Sequence, residues 1–278
     1  MKKTLQYHHA VRLARLAHLA FGWLMVAFLL LPLVAMVPIS FSSGSFLSYP
    51  LPGFSLRWYE RVFEPGPWTH ALSNSLIVGF MATVIATILG TLAAFAFARH
   101  NLPIKRTLLG FLMAPMIVPS VITGLGMYFL FSQLGLTANL SGLILAHAVL
   151  ATPFVVITVT ASLQQFDMDL LRSAYSLGAS PLRAFFSIVV PMIMSGIVSG
   201  ALFAFITSFD EVVVAIFIAG PGQRTLPRQM FDGIRDTIDP SIIAMSSFLM
   251  VVATIALTVS TWIAQRTRNS QPDEKDFK

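Results

Sequence analysis

Six blocks of apolar residues, at 19–41, 71–98, 108–134, 143–163, 191–219 and 242–263, are separated by polar segments. Each is long enough for a helix to cross the hydrocarbon core, which takes about 20 mostly apolar residues. Five of the blocks contain no Asp, Glu, Lys or Arg, and the remaining one carries Asp210 and Glu211 towards its far end. The ~10-residue alternating segments of a membrane β-barrel are absent from the sequence. The pattern predicts an all-α integral membrane protein with six transmembrane helices: a basic N-terminal segment over 1–18, a membrane domain over 19–263 and a polar tail over 264–278. The first block is longer than the 7–15 apolar residues of a secretory signal core, so it reads as an uncleaved anchor.

The basic residues then set an orientation. With the N-terminus in the cytoplasm, 13 of the 18 Lys and Arg residues fall in cytoplasmic segments and 5 (Arg57, Arg61, Arg224, Arg228 and Arg235) fall outside. Basic residues favour the cytoplasmic side, so both termini are expected there, in a multi-pass protein of the cytoplasmic (inner) membrane. The formal net charge of +6 therefore points to lipid headgroups and topology rather than to nucleic acid. Composition agrees: 56% of the 278 residues are hydrophobic and 11% charged, against about 25% charged in soluble domains. The chain has no cysteine, which removes disulfides, thiolate metal sites and a cysteine nucleophile.

Small residues recur every four positions at Ala82, Ala86 and Gly90, and again at Gly196, Gly200 and Ala204. Such stripes let helix backbones approach closely, either within the bundle or between subunits. The third block is interrupted by Pro115, Pro119, Gly124 and Gly126. Proline removes a backbone hydrogen bond, and the freed carbonyls need partners, which predicts a place near the bundle interior or a pore; a static kink is the alternative.

Two connections are long. The outside segment 220–241 predicts a surface helix over 225–238, with Leu226, Met230, Ile234 and Ile238 on one side and Arg228/Asp232 and Arg235/Asp239 as pairs four apart. It would be a docking surface or a cover over the bundle mouth. The cytoplasmic segment 164–190 predicts a helical hairpin. Phe166, Leu170, Ala174 and Leu177 share a helix face, Asp167 and Asp169 suit its first turn, Gly178 ends it, and Ser180 with Pro181 begins the next helix. Read from the residues alone, the hairpin lies on lipid or docks a partner.

The run Arg172-Ser173-Ala174-Tyr175-Ser176-Leu177-Gly178-Ala179-Ser180, with Pro191 following, resembles the Glu-Ala-Ala loop of permeases of binding-protein-dependent ATP-binding-cassette importers. Arg172 stands where that loop has its glutamate, and Ser176 where it has an aspartate. His147 with Thr152-Pro153-Phe154-Val155-Val156 is similar to the polyamine branch of those importers. So are Ser208-Phe209-Asp210-Glu211-Val212-Val213-Val214, Gly220-Pro221 and Thr225-Leu226-Pro227. The resemblance implies a type I importer (MetI-like) permease fold moving putrescine or spermidine by alternating access. It implies a second permease of different sequence, an ATPase dimer carrying ATP and Mg, and a periplasmic solute-binding protein. It assigns coupling to the ATPase to Leu170, Arg172, Ala174, Leu177, Gly178, Ala179 and Ser180. No cofactor is expected in this chain, which lacks a phosphate-binding Gly-x-x-x-x-Gly-Lys-Ser/Thr loop and so should not hydrolyse ATP.

The intramembrane carboxylates Asp210 and Glu211 are candidates for pairing with a cationic cargo, because ionisable residues in spans are costly and face an interior, a cavity or a partner. Adjacent helical positions diverge by ~100°, so at most one is expected to face the path. The other reading is a helix end or a structural polar contact. For His147 a hydrogen bond to a neighbouring helix is the favoured reading and a place on the path the alternative. Other amines, amino-acid- or opine-like solutes, and an ion-coupled secondary transporter are the rival functions.

Overall fold

The computed structural model describes residues 2–99, 104–236 and 239–269. The described residues are helical but for turns and one isolated antiparallel bridge, Ser42 with Phe54. Four helical segments are long and apolar enough to cross a membrane: Ala14–Ser40, Pro67–Ala98, Leu140–Leu163 and Ser241–Val259. The other two expected crossings are bent pairs, Lys105–Ile117 with Ser120–Gln133 at 109° and Pro181–Met192 with Met194–Asp210 at 75°. Counting each pair as one crossing gives six.

The chain divides into two compact units, Met1–Glu64 with Gly233–Lys278, and Pro65–Asp232. In the first, α1 (Lys2–Ser40) packs on α13 (Ser241–Asn269), and the short α2 (Arg57–Phe63) packs on α13 as well. The Trp58 indole N–H donates to the Ser42 carbonyl at 2.9 Å, and Ser40 and Tyr59 share a hydroxyl bond of 2.7 Å.

In the second unit, α3 (Pro67–Arg99), α6 (Leu140–Leu163) and α10 (Met194–Asp210) form the central bundle. The small-residue stripes explain how closely they pack. Ala82, Ala86 and Gly90 of α3 are buried, as are Gly196, Gly200 and Ala204 of α10. A Cβ on Gly90 would come within 2.7 Å of Val155 Cβ, and one on Gly200 within 3.0 Å of Val155 Cα. Both stripes therefore serve packing within this chain, with Val155 of α6 held between two glycines.

The third crossing is broken at one of its prolines, as its sequence predicts. The chain turns at Val118 and Pro119, between α4 (Lys105–Ile117) and α5 (Ser120–Gln133). Among the described residues α4 buries none of its own, and α5 buries only Gly124 and Phe131. Most of the broken helix is therefore exposed in this chain. Pro119 separates the two helices, and the Ile122 N–H returns to the Pro119 carbonyl at 2.9 Å. Gly124 serves packing: a Cβ there would meet the Phe217 ring at 2.7 Å.

The fifth crossing is also segmented. Helix α8 (Pro181–Ala184) runs into a π-turn, Phe185–Val189, then α9 (Val190–Met192). The Pro191 ring would crowd the carbonyl four residues back, and the wider turn, with Val190 N–H reaching the Phe185 carbonyl, relieves this. Helix α10 stops at Asp210, and α11 (Val213–Ile218) begins after a two-residue break.

Candidate functional site

The break after α10 separates the two carboxylates. Glu211 has an extended backbone, and its Oε1 accepts the Val214 N–H at 2.9 Å. It caps α11 and is half-buried. Asp210, the last residue of α10, is exposed and has no hydrogen-bond or ion-pair partner among the described residues. The neighbouring carboxylates thus differ in kind: one closes a helix end, and the other is free to meet a cation.

His147 is fully buried in α6, and its Nδ1 lies 2.9 Å from Ser208 Oγ and 3.0 Å from the Ser208 carbonyl on α10. Its Nε2 is buried without a partner among the described residues. The geometry favours a tie between α6 and α10 at a position two residues before Asp210.

Helix α11 is held at its other end by the segment that follows it. The Arg228 guanidinium donates to the carbonyls of Ala215, at 2.8 Å, and Ala219. It lies 3.9 Å from Asp232, which also meets Arg224 at 3.4 Å. Burial pulls the Arg228 pKa below the usual guanidinium value; Asp232 opposes that shift and Arg224 adds to it. The segment is tied to α3 by Asn74, which donates to the carbonyls of Gly222 and Arg224 at 3.0 Å each, and by Ser75 Oγ, which accepts the Leu226 N–H at 2.7 Å. The surface helix α12 spans Leu226–Asp236. Leu226 is buried, Met230 half-buried and Ile234 exposed; Ile238 lies outside the described residues. The Arg228/Asp232 pair forms, but Arg235 bonds Asp236 at 3.0 Å and Asp239 meets Arg61 at 3.6 Å. The expected Arg235/Asp239 pair does not form, each residue having a different partner.

On the opposite connection, α7 (Met168–Ser176) is capped by Asp167, which accepts the Asp169 N–H at 2.9 Å. Gly178 has φ +83° and ends the helix. The Ala179 and Gly178 N–H groups return to the Ala174 and Tyr175 carbonyls at 3.0 Å each, a Schellman ending. Ser180 accepts the Arg183 N–H at 3.4 Å and opens α8. The apolar face differs from the expected one. Phe166, Leu171, Ala174 and Ala184 are buried in one core with Val155, Val159 and Ile193. Leu170 and Leu177 are exposed, Leu177 by 89%, as are Leu182 and Phe186. Arg172 pairs with its own Asp169 at 2.7 Å, both exposed. Of the candidate coupling residues, Leu170, Arg172, Leu177, Gly178 and Ser180 are at the surface; Ala174 is buried and Ala179 half-buried. Sequence periodicity missed Leu171 because the hairpin docks on the bundle through a face rotated by one residue. It also missed Arg228 as the cap of α11, a contact across a turn that leaves no periodic signal.

The sequence matches the family described as "Binding-protein-dependent transport system inner membrane component" over residues 86–269. The Haemophilus influenzae spermidine/putrescine transport system permease protein PotC is 32% identical over 251 residues, covering 90% of this chain and 96% of its own. The Escherichia coli K12 putrescine transport system permease protein PotI is 33% identical, covering 88% of this chain and 89% of its own. In fold, the chain is similar to a solved bacterial ABC transporter involved in the import of the acidic polysaccharide alginate. The TM-score is 0.71 at 14% identity, over 92% of this chain and 96% of that one. Helix order, bent crossings and hairpin thus make up an all-α permease fold of the type I importer class, and the chain belongs to the family of binding-protein-dependent transport system inner membrane components.

Proposed function

We propose that this chain is the translocating permease subunit of an ATP-driven polyamine importer, with putrescine and spermidine as cargo. The observation that carries the reading is its similarity, over about nine-tenths of its length, to permeases named for those two solutes. Asp210 supports it: an exposed, unpartnered carboxylate at a helix break suits a protonated amine. A second permease of different sequence completes the path. An ATPase dimer, holding ATP and Mg, meets Leu170, Leu177 and Leu182 on the exposed side of the hairpin, while a solute-binding protein delivers cargo to the outside segment. Both termini are cytoplasmic. Nucleotide-driven closure of the ATPase moves the hairpin, and the shared core of hairpin and bundle carries that movement to α6 and α10.

The test is uptake of labelled putrescine and spermidine by the reconstituted complex, omitting one component at a time. Saturable uptake that needs ATP and every component is the expected result. ATPase activity stimulated by the binding protein without polyamine uptake would discard the cargo and keep the importer. Uptake driven by an ion gradient with no ATPase present would discard both.

A further inference from the structure

The segment after α1 has no part in the transport reading. Within its own unit, two apolar spans end at one level: that of α1 closes at Ser40 and that of α13 opens at Ser241. Both are tied to α2, through the Ser40–Tyr59 bond of 2.7 Å and the Arg61–Asp239 pair of 3.6 Å, with Phe63 edge-on to Phe248 at 4.9 Å. Helix α2 therefore lies where two spans leave the hydrocarbon core, in the headgroup layer.

At that level an open cleft of about 330 Å³ is lined by Ser45, Arg57, Trp58 and Arg61. Trp58 is its floor, buried and fixed through its indole N–H. The Arg57 and Arg61 guanidinium carbons lie 4.4 and 5.7 Å from the Trp58 ring centre. Arg57 donates to the Gly44 carbonyl at 2.6 Å and the Ser45 hydroxyl at 3.2 Å, and pairs with no carboxylate among the described residues. Among the described residues Asp239 is the carboxylate that pairs with Arg61, and the residues lining the cleft include two cations and no carboxylate. In the adjoining loop, Phe46, Tyr49 and Phe54 are 75%, 85% and 80% exposed. Aromatic rings at this level partition into the membrane interface, and guanidinium forks match phosphate oxygens.

We propose that Arg57 and Arg61 hold the phosphate of an anionic phospholipid in the headgroup layer at this end of α1, with Phe46, Tyr49 and Phe54 seated against its glycerol and acyl chains. Inorganic phosphate supplies the same charge but gives the exposed aromatic side chains nothing to pack against, whereas a lipid does. The site is independent of which solute the complex moves.

Native mass spectrometry of the intact complex, released from nanodiscs of phosphatidylglycerol and phosphatidylcholine, tests this. Wild type should retain phosphatidylglycerol on this chain, and Arg57→Gln/Arg61→Gln should weaken retention about tenfold or more. Arg57→Lys, which keeps the charge and loses the fork, should fall between them. Unchanged assembly and melting temperature of the complex would separate lost lipid contact from a collapsed loop. Equal retention by wild type and double variant overturns the proposal. So does displacement of the lipid by millimolar inorganic phosphate, or equal retention of phosphatidylcholine. Loss of binding-protein affinity in the double variant with lipid retention intact would assign the cleft to a protein instead.

Discussion

Adjacent carboxylates in a membrane span invite a shared role, but here geometry divides them. Glu211 places Oε1 on the Val214 N–H and ends a helix; Asp210 is exposed with its charge unspent. Asp210→Asn is therefore expected to raise KM for putrescine about tenfold or more, the scale of one hydrogen bond to a charged group, while leaving the melting temperature of the complex unchanged. Glu211→Ala should act in the opposite sense, costing about 1 kcal/mol of stability through the lost cap, seen as a lower melting temperature with a smaller change in KM. Equal effects of the two on both measurements would erase the distinction. His147 belongs with Glu211, because its Nδ1 is committed to Ser208 on the facing helix.

Helix approach is decided by glycines that differ only in what surrounds them. A side chain at Gly200 would press on the Val155 backbone, whereas Gly126 has nothing within 4 Å. Gly200→Val should destabilise the permease by about 1–3 kcal/mol through overpacking; Gly126→Ala should be neutral or gain up to about 1 kcal/mol. Melting of the purified complex reads both, and equal effects would mean that the α6–α10 contact is looser than described. The hairpin gives a second contrast. Leu171→Ala opens the core shared with the bundle and should cost about 2–5 kcal/mol. Leu177→Asp, at a position 89% exposed, should leave folding intact and reduce ATPase stimulation in the assembled complex. If Leu177→Asp instead unfolds the permease, the exposed side of the hairpin is not a docking surface. These elements also show what sequence can reveal. The helix–turn–helix was legible because its determinants are local: a Gly with φ +83°, a Ser cap and a Pro after it. Leu171 was not, because the face a short helix buries is chosen by the bundle beneath it. The break after Asp210 was legible only as the alternative reading of the two carboxylates, the one charged pair in an otherwise apolar block, since hydropathy reports length and not direction.

At the scale of the whole molecule, the six apolar blocks and their basic flanks were readable because bilayer thickness and charge asymmetry act on the sequence directly. The interruption of the third block was legible in its prolines, but the 109° and 75° angles were not, because neighbouring helices set how far a crossing is redirected. The same charge asymmetry makes the transport reading testable as topology. The hairpin can meet an ATPase only from the cytoplasm, and the segment around Gly222, tied to α3 through Asn74, must then face the other side. The chain has no native cysteine, so single cysteines can be labelled without background. Gly222 is exposed with open space around it, and Leu177 protrudes from the hairpin. In intact cells with the outer barrier opened, Gly222→Cys should react with a membrane-impermeant maleimide. Leu177→Cys should react only after the inner membrane is permeabilised. The reverse pattern would put the hairpin on the side without ATP, and neither the 13-to-5 distribution of basic residues nor coupling through Leu177 could then stand.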